Sequence, residues 1–314
     1  MALAIVAPST KVDVSVLVPA KDEAANLPLF LEQAAAAFQA ADATFEIIVI
    51  DDGSTDDTWA VLGALVDQYP FVRRVRHRRQ RGIADALRTG YSQARGDVLV
   101  FYPADLQYKP EDIPRLVAPI LAGESDMVTG YKQGKYEKAF VSRVYNRLSR
   151  LLFEIPVRDL NSVKAYRREI MEQLPVRPDW HRYMIVIAAA QGFTVTEIPV
   201  PLYPRHAGQS KFGKSRIVVG TLDMLSVWFE LRFSRKPLML FGTLGSLLFL
   251  LGVLTGIVAL LMRFVIPPYQ GFRPLLNLIE VCLILGFLSF ATGLLGEQIA
   301  GMRAELREMR RDDE

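Results

Sequence analysis

Runs rich in β-branched residues that alternate with stretches of helical apolar spacing constrain this chain more than any other feature. Val12 to Val18 leads into Pro19-Ala20-Lys21-Asp22-Glu23, and Phe45 to Ile50 leads into Asp51-Asp52-Gly53-Ser54-Thr55-Asp56. Val72 to Arg76 precedes Arg78 to Gly82, and Val98-Leu99-Val100-Phe101 leads into Tyr102-Pro103-Ala104-Asp105-Leu106-Gln107. Between these runs, Ala24 to Ala41, the stretch ending at Leu65 and the one reaching about Ala94 carry helical patterns. Strands and helices alternating at this spacing form a mostly parallel sheet with helices on both faces, and ligands of such sheets gather beyond the carboxyl ends of the strands. Asp22, Glu23, Asp51, Asp52, Asp105 and Gln107 therefore converge on one edge.

Further along, Pro110-Glu111-Asp112 opens another helix, Met127 to Gly130 reads as a strand and Lys135 to Phe153 as a basic amphipathic helix. Val195 to Pro199 is a late strand, followed by the loop Pro204-Arg205-His206-Ala207-Gly208-Gln209-Ser210-Lys211-Phe212-Gly213. There is no internal repeat and no low-complexity segment.

The hydrophobic share of 51% is high for a purely soluble protein, and the excess lies near the C-terminus. Ser215 to Phe233 is helical, with Trp228, Phe229 and Phe233 near its end, which suits either a helix at a bilayer surface or a plain packed one. Leu238 to Met262 is a charge-free stretch of about 25 residues, enough to cross a hydrocarbon core with some tilt. Pro274 to Ala300 is a second apolar stretch of similar length, and the short link with Pro267-Pro268 implies a hairpin. The expected organisation is a cytoplasmic domain over 1–214, an interface helix over 215–236, two spans within 237–300 (about 238–262 and 274–299) and a charged tail over 301–314. Arg232, Arg235 and Lys236 before the hairpin and Arg303, Arg307, Arg310 and Arg311 after it outweigh Arg263 and Arg273, so both termini are expected in the cytoplasm, as in a multi-pass protein of a bacterial inner membrane. Glu280, inside the second span, is either a functional or assembly residue or one that hydrates near the interface. Gly242, Gly245, Gly252 and Gly256 suit a homo-oligomer or packing within the hairpin.

The N-terminal ten residues lack the basic start of a signal peptide. A formal net charge of +3 singles out no nucleic-acid partner, and the one cysteine, Cys282, excludes an internal disulfide and reads as a small apolar residue.

Clustered carboxylates repel one another unless a cation or a hydrogen-bonding ligand joins them, and a nucleotide diphosphate with a divalent metal supplies both. At this point Val16-Leu17-Val18-Pro19-Ala20-Lys21-Asp22-Glu23, Ile50-Asp51-Asp52-Gly53-Ser54-Thr55-Asp56, Arg81-Gly82-Ile83-Ala84-Asp85-Ala86-Leu87 and Ala104-Asp105-Leu106-Gln107 resemble, in order, the signatures of inverting family-two glycosyltransferases of GT-A fold. More narrowly, the chain resembles the polyisoprenyl-phosphate hexosyltransferases, a group that includes dolichol-phosphate mannose synthases and bacterial undecaprenyl-phosphate glucosyltransferases. The resemblance implies that Pro19, Ala20, Asp22, Glu23, Asp52, Gly82 and Asp85 line the nucleotide pocket. It implies that Asp105 and Gln107 hold a divalent cation, Mg or Mn. Arg205, Ser210 and Lys211 match a mobile loop that closes on the diphosphate and the acceptor phosphate, and Arg143 matches an acceptor-phosphate position. Asp105, Arg205 and Lys211 are then the residues of transfer.

The family usually carries Asp-x-Asp before Leu-Gln, and Pro103 stands where the first Asp belongs. The tip is either a one-carboxylate metal site completed by diphosphate and water or the place where the resemblance fails. Asp22 and Gln80 stand where Asn is common, and both keep hydrogen-bonding oxygen. The implied reaction moves a hexose from a UDP-glucose-type or GDP-mannose-type donor to a polyprenyl phosphate, with inversion. An already ionised phosphate needs no general base. Asp159 is the one base-like candidate, and shaping the acceptor loop is its other role. A processive polysaccharide synthase is a rival, although Gln-x-x-Arg-Trp is absent. An inactive membrane-anchored nucleotide-sugar binding or scaffold protein is the other.

Overall fold

The computed structural model describes residues 11–133, 139–153, 155, 157–173, 180–207, 215–234, 236–265 and 273–312. Two compact units divide it, Met1–Met224 and Leu225–Glu314. In the first, the chain runs β1 (Val14–Ala20), α1 (Leu27–Gln39), β2 (Phe45–Asp51), α2 (Thr58–Gln68), β3 (Val72–Arg76), α3 (Ile83–Gln93) and β4 (Val98–Phe101). A 3₁₀ turn at Pro110–Asp112 leads to α4 (Ile113–Leu121), β5 (Met127–Gln133), α5 (Ala139–Phe153), β6 (Lys164–Arg167) and α6 (Arg168–Gln173). After a second turn at Trp180–Tyr183 come α7 (Met184–Ala190), β7 (Val195–Pro201) and α8 (Ser215–Phe233).

Alternation decides these elements locally. Almost every residue of β1 and β2 is buried, as expected of central strands covered on two faces. α1 starts with Pro in its first turn, where a fixed φ fits the helix and no donor is lost. Its buried side chains Leu27, Phe30, Leu31 and Ala34 lie on one stripe. They pack with Val16, Val18, Ile47, Val49 and Tyr102 in one core, each large apolar side chain contributing about 1.5–3 kcal/mol of burial.

The sheet order is β3-β2-β1-β4-β6-β5-β7. β1 pairs in parallel with β2 and β4, β2 with β3, and β5 with β7. β6 alone is reversed, antiparallel to both β4 and β5. Every strand but β6 therefore ends at one edge, and β6 begins there with Lys164. The sequence pattern shows the β1 to β4 alternation but not β6, because a four-residue strand, Lys-Ala-Tyr-Arg, is too short to display a period.

The second unit contains the end of α8, then α9 (Pro237–Val265) and α10 (Arg273–Asp312). Both long helices hold windows apolar and long enough to cross a membrane, Pro237–Val265 and Arg273–Leu306. They pack closely because glycine lets the backbones meet: a Cβ on Gly245 would fall 2.6 Å from Phe290 N, and one on Gly286 2.6 Å from Phe249 N. Gly242, Gly245 and Gly252 are buried in this way, so their small size is used inside the hairpin. Cys282 is buried against Gly252, while Glu280 is exposed on α10. The charged tail continues α10 without a break as far as Asp312.

Candidate active site

The loops after β1 and β2 are fastened to each other. Lys21 Nζ donates to Gly53 O at 2.9 Å, Asp22 N to Ser54 Oγ at 2.9 Å and Glu23 N to Thr58 Oγ1 at 2.9 Å. Asp22 Oδ1 accepts from Thr55 N at 2.8 Å. Asp22 adopts φ 52°, a left-handed conformation that Asp tolerates better than most residues. Pro19 and Ala20 stand opposite Ile50 and Asp51 in the β1–β2 register, which brings the two loops out at the same level. Gly53, at φ 70°, leaves room for a neighbour: a Cβ there would lie 2.7 Å from the Arg79 and Gln80 backbone.

Asp52 holds that neighbouring loop. Its Oδ1 lies 2.8 Å from His77 Nδ1 and accepts from Arg81 N at 2.8 Å, and its Oδ2 accepts from Gly82 N at 2.8 Å. Because a carboxylate only accepts, His77 donates from Nδ1, and its Nε2 meets Thr89 Oγ1 at 2.9 Å. Asp52 thus shapes the 77–82 segment from below, and its partner His77 was not singled out by sequence. The signal was available: His77 follows β3 directly where Asp52 follows β2, and Asp51 pairs with Arg76 in the register between them. Asp85, in the first turn of α3, pairs with Arg81 Nε at 3.3 Å.

Beyond β4 the chain turns through Leu106 at φ 57°, a strained value for a leucine. Gln107 N donates to Asp105 Oδ1 at 3.2 Å, and Gln107 O accepts from Tyr203 N at 2.9 Å. That last bond, with Leu202 N donating to Gln133 O at 3.1 Å, lays the segment after β7 across the ends of β4 and β5. Arg205 then reaches Asp105 Oδ2 at 2.8 Å and Glu23 Oε1 at 3.8 Å. Asp105 is only 8% exposed. Burial raises its pKa, and the charge of Arg205 and the Gln107 N–H oppose that rise without cancelling it. Three separate strand ends therefore supply Glu23, Asp105 and Arg205 to one point.

At the same edge of the sheet is a second charged group, built on Asp159. Lys132, near the end of β5, pairs with Asp159 Oδ2 at 3.3 Å. Lys164 and Arg182 are buried with Asp159, and Lys164 Nζ donates to Ser162 O at 2.8 Å. Arg143 lies in α5. Ser210 and Lys211 fall outside the described residues.

A hard oxygen-ligating cation suits the Asp105 tip. The carboxylate is buried, its burial is not fully offset by protein, and the Gln107 side chain provides an amide oxygen two residues on. Among the described residues no group of three or more His, Cys, Asp or Glu could hold a metal ion, and the tip itself offers one carboxylate and one amide.

A mostly parallel sheet flanked by helices, with acidic loops gathered at its carboxyl edge, is an architecture of the GT-A type. Glucosyl-3-phosphoglycerate synthase from Mycobacterium tuberculosis, solved with Mn2+, UDP and glucosyl-3-phosphoglycerate, superposes with a TM-score of 0.55 at 22% identity over 69% of this chain and 79% of that one, a likeness of fold. Residues 15–181 match glycosyl transferase family 2. Dodecaprenyl-phosphate galacturonate synthase of Rhizobium johnstonii is 30% identical over 93% of this chain and 89% of its own length. Undecaprenyl-phosphate 4-deoxy-4-formamido-L-arabinose transferase of Sodalis glossinidius is 28% identical over 95% of this chain and 91% of its own. The chain belongs to glycosyl transferase family 2, and its full-length relatives are polyprenyl-phosphate sugar transferases.

Proposed function

We propose that the protein transfers one sugar from a nucleotide diphosphate donor to a polyprenyl phosphate, inverting the anomeric centre, at the cytoplasmic face of a bacterial inner membrane. The observation that carries this reading is the Asp105–Arg205 pair at the carboxyl edge of the sheet, in a chain that also ends in two helices of membrane-crossing length. An acceptor phosphate oxygen attacks the anomeric carbon. The bond from that carbon to the donor diphosphate breaks, and the nucleoside diphosphate leaves with the electron pair. The acceptor is already ionised, so no side chain has to remove a proton.

The chain's own residues orient and balance charge. Asp52, through the Arg81 and Gly82 N–H groups, fixes the 77–82 loop, while Pro19, Ala20, Asp22 and Glu23 border the nucleotide. Asp105 and Gln107 would hold Mg or Mn, which would supply positive charge toward the leaving diphosphate. Arg205, now on Asp105 and Glu23, can meet phosphate bidentately once those carboxylates have another partner. Arg143, Ser210 and Lys211 complete the acceptor-phosphate contacts, and Lys211 joins Asp105 and Arg205 in supporting the leaving group. The basic flanks of the hairpin support cytoplasmic termini, with 1–214 as the catalytic part, 215–236 along the interface, 237–300 across the bilayer and 301–314 as the tail. A hexose of the glucose or mannose type is the sugar that the family resemblance implies, since the motifs do not select one. The relatives' names carry a uronic acid and a formamido pentose, so both belong in the test.

Membranes containing the protein, supplied with Mg or Mn and radiolabelled UDP- and GDP-sugars of these kinds, are expected to place label in a lipid-linked monosaccharide. A long polymer would instead mark a processive synthase, and no lipid-soluble label with any donor would mark a binding or scaffold protein.

A further inference from the structure

Lys164 is the most deeply buried basic side chain among the described residues, with 1% of its surface exposed, and the proposed reaction does not use it. Its place follows from topology. β6 is the one reversed strand, so its first residue lies at the edge where the others end. Phe101, its register partner, is the last residue of β4 before the Asp105 tip, and Lys164 Nζ lies 5.7 Å from the Phe101 ring. The charged groups that face it come from three directions. Asp159 comes from the loop before β6, Lys132 from the end of β5, and Arg182 from the 180–183 turn, whose His181 stands edge-on to Phe101. Of these, Asp159 is the acidic one, and Lys132 already holds it at 3.3 Å.

We propose that Lys164 is a positioning residue for the acceptor: buried at the start of β6, on the edge where the Asp105 tip lies, it acts through the neighbouring Lys132–Asp159 pair to hold the acceptor phosphate. Burial, with Lys132 and Arg182 against Asp159, lowers its pKa to about 7. In the free enzyme the amine is therefore neutral above that pH, and an incoming anion favours its charged form. Binding of the acceptor then consumes one proton, and acceptor affinity falls by up to about tenfold per pH unit above pH 7. Over that range a phosphomonoester is already dianionic, so its own ionisation adds little.

This assignment rests on the proposed reaction, and the test separates the two. Acceptor KM and kcat are measured with undecaprenyl phosphate in detergent from pH 6.5 to 8.5 for the wild type, Lys164→Met and Lys164→Arg, with UDP affinity as a check on the fold. The wild-type KM should rise several-fold across the range. Lys164→Met should show a KM about tenfold higher at pH 6.5 with no rise, near-normal kcat and unchanged UDP affinity. Lys164→Arg, always charged, should keep a low KM at every pH. A wild-type rise that persists in either variant overturns the assignment, as does an unaltered KM in Lys164→Met. If Lys164→Met does not bind UDP, the arginine variant decides alone. Absence of any lipid-linked product from the wild type overturns the reaction, and this assignment with it.

Discussion

The two edges of the same sheet treat buried charge in opposite ways. At the amino edge Glu46 is 1% exposed, yet its Oε1 accepts from Ser15 Oγ at 2.7 Å and Arg95 N at 2.7 Å, and its Oε2 meets Arg95 Nη2 at 2.9 Å. Arg168 closes the same edge by donating to Ala94 O at 2.9 Å and Gly96 O at 2.7 Å. Burial alone would raise the Glu46 pKa, but the hydrogen bonds from Ser15 and Arg95 outweigh it, and the carboxyl ends below its ordinary value. At the carboxyl edge the balance reverses: burial wins at Asp105 and at Lys164, and each is pushed toward its neutral form. A buried ion whose partners overcompensate it holds structure. One left undercompensated costs stability and is retained for a ligand of opposite charge.

The largest expected effect is at the undercompensated carboxylate. Asp105→Asn keeps shape and removes charge, so transfer should fall by about 10²–10³-fold. The melting temperature at neutral pH should stay the same or rise, because the cost of the buried charge is gone. Full activity in membranes with added Mg or Mn would break the metal assignment, and a large loss of stability would break the comparison. Glu46→Gln should do the reverse. It leaves Arg95 without its counter-charge and should destabilise by about 2–3 kcal/mol, a value reduced because Arg95 is 47% exposed. Transfer per folded molecule should be unchanged at a temperature where the variant is native.

The difference between the edges was only partly legible in the sequence. The alternating pattern yields β1 to β4, and strands ending in Asp52 and Asp105 mark the active edge, since periodicity reports burial and the strand ends report direction. Arg205, a hundred residues from Asp105 along the chain, is implied by family resemblance. Only the hydrogen bonds of Leu202 and Tyr203 to Gln133 and Gln107 explain how it arrives. His77, Lys132 and Lys164 were missed for one reason: each gains its meaning from a partner far along the chain, in the loop beside another strand, and a single chain carries no record of register. Glu46 looks like an ordinary polar residue at a strand start, and Ser15 and Arg95 are what make it structural. Pro103 was legible as a departure, and the fold shows what remains there: one buried carboxylate facing an arginine.

pH separates the edges by sign. Glu46, with a lowered pKa, contributes stability above the ordinary glutamate range and loses it as pH falls through its folded pKa. The deficit of Glu46→Gln should therefore be largest near pH 7 and shrink toward about pH 3. Asp105, with a raised pKa, destabilises when ionised, so any gain of Asp105→Asn should also be largest near pH 7 and vanish once both states are protonated. Melting curves of both variants against wild type across this range should give differences of opposite sign that converge in acid. Parallel curves would show that the two carboxylates are not treated differently.

Ser15→Ala is the smallest and finest test, because it leaves both charges of the amino edge in place. Ser15 Oγ donates to Glu46 Oε1 and accepts from Gly96 N at 2.8 Å, so the variant strands one buried N–H and removes one bond to the carboxylate. A cost of about 1 kcal/mol is expected. Because the Ser15 bond is the leading influence that lowers the Glu46 pKa, acid unfolding should also begin at a higher pH than in the wild type. If stability falls while the acid limb stays where it was, the serine serves Gly96 alone. The low pKa of Glu46 would then belong to Arg95, through its guanidinium and its backbone N–H, with Arg73 at 3.5 Å as the remaining cation.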